Sequence, residues 1–314
     1  PDLLKRLLDS IPVREDTEVL VVDDNSDPNI VDFNHFPGFD RKDVRLFFEK
    51  ENRFAGHARN VGLKHARGKW ILFADSDDYF NYCVRDILDE YKDSKYDVIY
   101  FDCNSVDCFN YTTTQRGLGV HPYIKLWDKN RKLAELGLRY EFGEPWSKIV
   151  RRQMVVDHNI RFEERSIHND TAFSYLIGYY AKKISADKRA LICNTTRKGS
   201  VSVTLTESKK LERIENFGSS NMFFIKHNIP WRHTWGFYQL YQSKHENKET
   251  YEKGIATLKR IGYSEEQIRK ELAIIERGCI KGKIKDKIKN TILWVLNCFG
   301  KKNWVQLSNG ESIG

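Results

Sequence analysis

Short apolar runs alternate with segments of helical periodicity over residues 1–103. Ala58, Val61, Leu63 and Ala66 share one face of a predicted helix over residues 55–67, which Gly68 would cap. Alternating strands and helices predict an α/β sheet with crossover helices, and such sheets bind ligands at the carboxyl ends of their strands. The apolar runs with the length and composition of buried strands cover residues 18–22, 44–48, 70–74 and 98–103.

The pattern is different after residue 103. Residues 104–144 are irregular, and we interpret them as a long loop-rich excursion. An amphipathic helix opens the chain at Leu3, so we expect the natural start to lie upstream. Order returns with a predicted extended segment at 147–150, helices at 152–158 and 170–181, a strand at 190–195, and helices at 207–217, 221–227 and 265–278, the last after a Ser264/Gln267 capping box.

Charge separates the chain into two regions. The 52 Lys and Arg exceed the 44 Asp and Glu by 8, and the whole excess lies beyond residue 204. We therefore predict a working domain over 1–204, with a nucleotide-binding half (1–103) and an acceptor half (104–204), followed by a basic helical extension over 205–314. Such an extension attracts nucleic acid or an anionic membrane surface. Scattered cysteines without a CxxC pair indicate reduced thiols and a cytoplasmic location.

Residues 277–302 combine basic charge with an apolar helical stripe. Their only acidic residue is Asp286, and their net charge is +7. This combination is typical of an interfacial amphipathic helix that places lysines toward anionic head groups. The alternative is a helix docked on the protein's own core. The apolar positions that recur every third or fourth residue are Ile280, Ile284, Ile288, Ile292, Val295 and Phe299.

Polar clusters follow the first and third predicted strands. Asp24 belongs to Asp-Asp-Asn-Ser and can accept hydrogen bonds from a nucleobase or a ribose, although a self-satisfied turn is the alternative. Asp75, Asp77 and Asp78 repel one another unless a cation or a donor-rich ligand joins them. Oxygen ligands of this kind suit Mg²⁺ or Mn²⁺. Arg59, at the start of the predicted helix, can pair with a base or a phosphate, or be an ordinary surface arginine.

Taken together, these elements resemble the nucleotide-binding half of family 2 glycosyltransferases, which are inverting enzymes of the GT-A fold. The resemblance implies that Asp24 contacts the nucleobase (uracil), that Arg59 supports this base, that Asp75 contacts the ribose, and that Asp77 holds Mn²⁺ or Mg²⁺. Members usually open with an apolar strand ending in Pro-x-Tyr-Asn, and we expect this chain to lack that strand. The matching segments are the leucine-rich first helix, Val21 to Ser26, Ala55 to Gly62, Gly68 to Trp70 and Phe73 to Tyr79.

The second half adds to the resemblance. Pro-Trp-Ser-Lys resembles the family's Pro-Trp-Asn-Lys, which implies acceptor or sugar contacts for Trp146 and Lys148. Asp170 follows Asn169, where the family often has Glu, and is the implied catalytic base. A helix N-cap is its alternative role. Lys198 lies in a basic Gly/Ser segment that would close over the diphosphate, with a solvated turn as the alternative.

The resemblance and the basic extension lead to one expected function. It is metal-assisted transfer of a sugar from a nucleotide-sugar donor, a UDP-sugar, to a saccharide or lipid-linked acceptor in polysaccharide synthesis. The expected place is the inner face of the plasma membrane, with membrane contact through 277–302 and no nucleic-acid partner. A haloacid-dehalogenase-type phosphatase would use Asp75 and Asp77, but it expects Thr or Val where Tyr79 stands. A nonenzymatic basic module for membrane or nucleic acid is the remaining alternative.

Overall fold

The structure is a computed structural model that describes residues 1–197 and 206–280. The chain divides into unit 1, Pro1–Thr204, and unit 2, Leu205–Gly314. Lys198 and residues 281–302 of the amphipathic segment lie outside the described residues. Their expected contacts with phosphate and membrane therefore stay predictions.

Unit 1 mixes helices and strands along its whole described length. Its strands are β1 Val19–Asp23, β2 Val44–Phe48, β3 Trp70–Ile71, β4 Tyr79–Phe80, β5 Val98–Asp107, β6 Lys148–Arg151 and β7 Ile184–Thr196. Its helices are α1 Asp2–Ser10, α2 Phe54–His65, α3 Val84–Tyr91, α4 His121–Leu126, α5 Arg131–Tyr140, α6 Arg152–Asp157 and α7 Thr171–Tyr180.

Two sheets organise these elements. Strands β1 and β2 pair in parallel, from Val19 opposite Val44 to Asp23 opposite Phe48. The second sheet has the order β3-β6-β5-β7-β4, in which β5 and β7 are parallel and the other neighbours antiparallel. The α/β class expected from the sequence is confirmed. A buried cluster in this unit consists of Val84, Ile87, Ile99, Phe101, Ile149 and Leu191.

The interpretation of residues 104–144 as a loop-rich excursion is wrong. Strand β5 continues to Asp107, and helices α4 and α5 follow. The side chain of Asn130 caps α5 by accepting a hydrogen bond from the backbone N–H of Leu133. The aromatic residues that suggested a loop pack inward instead, since Tyr123 and Trp127 are buried. The third strand, predicted over residues 70–74, is also shorter than expected: β3 ends at Ile71.

Unit 2 is helical over its described residues: α8 Glu207–Lys226, α9 Trp235–Glu246, α10 Lys248–Ile261 and α11 Glu265–Ile280. Helix α8 is continuous where the sequence predicted two helices, at 207–217 and 221–227. The capping box at the start of α11 is confirmed, because the Ser264 N–H donates to Gln267 Oε1 (2.8 Å) and the Gln267 N–H to Ser264 Oγ (3.1 Å). Among the described residues, no helix is both long and apolar enough to cross a membrane. The buried core consists of Ile214, Met222, Phe237, Leu240, Leu258, Tyr263, Ile268 and Ile275.

Candidate active site

The two carboxylates that follow β1 do different things. Asp23 is buried, and its carboxylate accepts hydrogen bonds from the backbone N–H (2.9 Å) and the hydroxyl (2.6 Å) of Ser26. This is the self-satisfied turn that the sequence left as an alternative. The Asp24 carboxylate is partly exposed and accepts from the backbone N–H of Arg53 at 3.1 Å. Asp24 is therefore the one of the pair that a ligand could reach.

The acidic loop, residues 75–78, places its three carboxylates in three environments. Asp75 Oδ1 accepts a hydrogen bond from Arg59 Nη2 at 2.6 Å. Asp77 is partly exposed and lies 3.6 Å from Arg197 Nε. Asp78 is fully buried and accepts from Asn194 Nδ2 (2.8 Å) and the backbone N–H of Thr195 (2.7 Å). These two bonds fasten the loop to β7.

Burial raises the pKa of Asp78 to about 8, and the charges of Asp75 and Asp77 add to this, while the bonds from Thr195 and Asn194 oppose it. The sequence alone could not separate this anchoring carboxylate from its neighbours, since all three follow the same strand. Its depth is set by β7, which is more than a hundred residues further along the chain.

Helix α2 holds the segment that leads to Asp170. The side chain of Asn60 pairs with the Phe162 backbone in both directions, donating to its carbonyl (3.0 Å) and accepting from its N–H (2.9 Å). Gly56 lies so close to this segment that a Cβ there would be 2.0 Å from the Glu163 carbonyl oxygen. Asn60 and Gly56 therefore fix the position of residues 160–170, which we call the base segment.

A charged cluster joins α2 to the loop after β2 and to the base segment. His57 faces two carboxylates, Glu49 and Glu164, each at 3.2 Å. Burial opposes the charged imidazolium, but the hydrogen bonds to these carboxylates outweigh it, and the pKa of His57 is raised. Glu164 also accepts from Arg53, whose backbone binds Asp24. Asp24, the candidate for nucleobase contact, and Glu164 of the base segment therefore belong to one network of hydrogen bonds.

Asp170 is the residue immediately before α7. Its side chain makes no capping hydrogen bond, so the N-cap alternative does not account for it. Its surface is partly exposed. Burial of the carboxylate raises its pKa to about 6, the Arg59 charge opposes this, and the Glu144 charge adds to it. A carboxylate with this pKa is ionised at neutral pH and basic enough to accept a proton from a hydroxyl in a transition state.

Trp146 and Lys148 need a correction. We expected both to contact an acceptor, but their exposed fractions are 2% and 1%. Trp146 packs edge-on against Phe142, with ring centroids 5.4 Å apart. Lys148 Nζ donates to the Phe142 carbonyl and to Ser174 Oγ, both at 3.3 Å. Burial lowers the pKa of Lys148 to about 7 against the opposing charges of Glu144 and Asp170. Neither side chain has a surface that an acceptor could touch.

Arg59 connects the acidic loop with the base segment. It donates hydrogen bonds to Asp75 Oδ1 in the acidic loop and to Oδ1 of Asn169, the neighbour of Asp170. Sequence reasoning missed Gly56 and Asn60, although both belong to the helix-start motif that drew attention to Arg59. Among the described residues, no group of three or more His, Cys, Asp or Glu side chains is arranged to hold a metal.

Comparison with known proteins gives the family. The family model "Glycosyl transferase family 2" matches residues 1–158. The chain is 27% identical over 186 residues to the putative glycosyltransferase EpsH of Bacillus subtilis, covering 56% of this chain and 52% of EpsH. It is 23% identical over 202 residues to the cholesterol galactosyltransferase of Borreliella burgdorferi, covering 61% of this chain and 55% of that protein.

The chain therefore spans about half the length of these two curated relatives. Similarity to other relatives is local, as with a Rickettsia felis glycosyltransferase, 39% identical over 71 residues, which are 22% of this chain and 11% of that protein. The crystal structure of S. aureus TarS residues 1–349 in complex with UDP-GlcNAc has a TM-score of 0.61 and 19% identity, covering 90% of this chain and 89% of that one. This chain belongs to glycosyltransferase family 2 and has the GT-A fold.

Proposed function

We propose that this glycosyltransferase moves a sugar from a UDP-sugar to a hydroxyl of a saccharide or lipid-linked saccharide, inverting the anomeric centre, in surface-polysaccharide synthesis. The observation that carries the proposal is the position of Asp170. The residue is partly exposed, burial of its carboxylate raises the pKa to about 6, and its neighbour Asn169 is joined through Arg59 to Asp75 on the donor side. The fold-level likeness to TarS, which was crystallised with UDP-GlcNAc, supports the choice of a uridine nucleotide.

Donor binding would use the carboxylates at the strand ends. The partly exposed Asp24 offers oxygens to the N–H of a nucleobase. Arg59 occupies Oδ1 of Asp75 and fixes that side chain, so Oδ2 can accept from a ribose hydroxyl. Charge-assisted hydrogen bonds of this kind are stronger than those between neutral groups. Lys148 is buried and fastens β6 to α7, the helix that follows Asp170, through Ser174.

A divalent cation fits the chemistry of the acidic loop through Asp77. This side chain is one-fifth exposed, and an Arg197 guanidinium 3.6 Å away is its nearest ionic partner among the described residues. A single carboxylate suits Mg²⁺ or Mn²⁺ when phosphate oxygens and water complete the coordination. When bound there, the ion would neutralise charge that develops on the departing diphosphate.

In the transfer step, the oxygen of the acceptor hydroxyl attacks the anomeric carbon while Asp170 takes the proton of that hydroxyl. The bond from that carbon to the diphosphate oxygen breaks, and the electron pair leaves with the nucleoside diphosphate. Attack from the face opposite the leaving group inverts the centre. The reaction needs Asp170 ionised, so the rate should fall as the pH drops below about 6.

The place of action is also part of the proposal. The sequence of residues 277–302, with its net charge of +7, suits the anionic inner face of a plasma membrane. A lipid-linked acceptor would be presented at that surface. Sedimentation of the full chain with vesicles of anionic lipid, but not with vesicles of neutral lipid, is the expected result. Equal sedimentation with both would contradict it.

Two substitutions test the chemistry. We expect Asp77→Ala to abolish Mn²⁺-dependent binding of UDP-GlcNAc or another UDP-sugar, measured by calorimetry. Asp170→Asn should bind the same donor normally and stop transfer. Binding that is independent of Mn²⁺ and indifferent to Asp77→Ala would refute the donor site. Phosphate release from a simple phosphomonoester, lost in Asp75→Asn, would indicate the phosphatase reading instead.

A further inference from the structure

Arg59 is held by contacts on three sides. Its guanidinium donates to Asp75 Oδ1 (2.6 Å) and to Asn169 Oδ1 (2.8 Å), and it lies over the Phe162 ring with 5.4 Å to the centroid. Its side chain is only 14% exposed. Two hydrogen bonds from one planar group fix both its place and its orientation. The contacts to Asn169 and Phe162 are both with the base segment, and the hydrogen bond to Asn169 is the one next to Asp170.

The scaffold around this contact is rigid. Asn60 and Gly56 fasten the base segment to α2, and the backbone of Asn169 accepts a hydrogen bond from the Glu163 N–H at 3.0 Å. Asn169 itself is buried, with 8% of its surface exposed. Its side-chain oxygen therefore stays within reach of Arg59 through local structure, and the Arg59 charge stays near Asp170.

The charges that face Asp170 are unequal. Arg59 on α2 favours the ionised carboxylate, whereas Glu144 before β6 and Asp75 after β3 oppose it. Lys148 on β6 also interacts with Asp170, but its burial disfavours its own charged form. A hydrogen bond from its own backbone N–H also favours the ionised form of Asp170. Arg59 is thus the main group that opposes the effect of burial and of the two carboxylates.

The neutrality of Asn169 matters in this setting. A carboxylate at this position would bind Arg59 equally well, but it would neutralise the guanidinium and add a like charge one residue from Asp170. Either effect would favour protonation of Asp170. An amide oxygen holds the cation without doing so.

We propose that Asn169 is a positioning residue whose neutral side chain holds the Arg59 guanidinium beside Asp170 and so keeps that carboxylate ionised. This inference rests on the proposed role of Asp170 as the base. Asn169 itself does not take part in bond making; it acts through Arg59.

The test is a titration of the full chain labelled with ¹³C at the Asp carboxyl carbons and followed by NMR. The Asp170 signal is identified by its loss in Asp170→Asn. We expect Asn169→Asp to raise the pKa of Asp170 by about 1 or more, a tenfold or greater change in its ionisation constant. Asn34→Asp is the matched control, because it adds the same charge at an exposed position outside both α2 and the base segment. It should leave Asp170 unchanged.

A second pair of variants covers the case in which Asn169→Asp does not fold. Arg59→Gln should raise the pKa of Asp170, and Arg59→Lys, which keeps the charge, should restore most of the difference. Equal titration of Asp170 in the wild type, Asn169→Asp and Arg59→Gln would overturn the inference. Near-normal turnover of Asp170→Asn would instead overturn the role of Asp170 as the base, and the two failures are therefore distinguishable.

Discussion

Units 1 and 2 differ in where several of their charged groups meet, although unit 2 also holds the largely buried pair Arg232–Glu271. In unit 1, charged and polar groups far apart in sequence meet below the surface, as Arg59 meets Asn169 and Asp78 meets Asn194. In unit 2, several ion pairs join exposed side chains one helical turn apart, as in Lys248–Glu252 and Lys270–Glu266. Buried charges reduce stability unless they are well paired, and exposed pairs contribute little.

The difference indicates where the chemistry lies. Among the groups of unit 1 whose pKa values are strongly displaced, Asp78, Asp170 and Lys148 have values close to neutral pH: about 8, about 6 and about 7. Such groups concentrate at functional sites, because burial there is retained for reactivity and not for stability. The surface pairs of unit 2 fit a supporting role. Substitutions in the two units should therefore differ in kind as well as in size.

The largest effect is expected from Asp170→Asn. It should lower kcat by about 10²–10⁴, the usual contribution of a general base, and leave donor affinity unchanged. In the wild type, kcat should decline below about pH 6, because the carboxylate must lose its proton before it can act. Initial rates of UDP release between pH 5 and pH 9 provide the measurement. The control is Asp157→Asn, at an exposed acidic residue of α6, which should keep normal rates.

Next in size is Gly56→Ala. The new Cβ would lie 2.0 Å from the Glu163 carbonyl oxygen, so the backbone of the base segment would have to move. We expect a loss of about 1–3 kcal/mol in the stability of unit 1, together with reduced kcat because Asp170 shifts. Hydrogen exchange of each unit and kcat are the observables.

Gly62→Ala is the matched control for this change, in the same helix. Nothing lies within 4 Å of its Cβ position. It should stabilise α2 by about 0.5–1 kcal/mol, because alanine restricts the unfolded chain. Similar losses for both variants would show that α2 does not depend on the close contact at Gly56.

A smaller effect is expected from Gly218→Ala in unit 2. Its Cβ would lie 2.6 Å from Leu258 Cδ2 and 3.3 Å from Ile261 Cδ1, which are the ends of flexible side chains. These can shift, and the gain in helix propensity, about 1 kcal/mol, offsets the crowding. Unit 2 should change by about 1 kcal/mol or less, with kcat unchanged. A loss of kcat comparable to that of Gly56→Ala would contradict the division of roles between the units.

The sequence could predict those parts of unit 1 that depend on local pattern. Strand β2 has the predicted bounds, and helices α2 and α7 lie within two residues of theirs. The acidic loop and Arg59 could also be recognised, because carboxylates after an apolar strand and a cation among small residues are patterns of adjacent sequence positions. They do not depend on contacts with distant segments. The family resemblance joined these pieces into one site.

Burial and long-range pairing could not be predicted in the same way. Trp146 and Lys148 suggested ligand contacts, but both are buried: Trp146 packs against Phe142, and Lys148 contacts Tyr100 of β5 and Ser174 of α7. Gly56 and Asn60 act on Glu163 and Phe162, about a hundred residues away, so their spacing gave no signal. Residues 104–144 misled because their aromatics and glycines suggest a loop, whereas Gly137 lets α5 approach the Tyr123 ring of α4 closely.

The smallest effect is expected from Glu249→Gln on α10. Its carboxylate pairs with Lys253 at 2.7 Å, but both side chains are more than half exposed. Water and salt screen such a pair, and holding two long side chains together costs conformational entropy. We expect hydrogen exchange in unit 2 and kcat to match the wild type at both low and high NaCl. A clear salt-dependent loss of hydrogen-exchange protection would mean that surface charge stabilises unit 2. The charged groups of the two units would then differ in their burial, and this difference would not indicate which unit carries the chemistry.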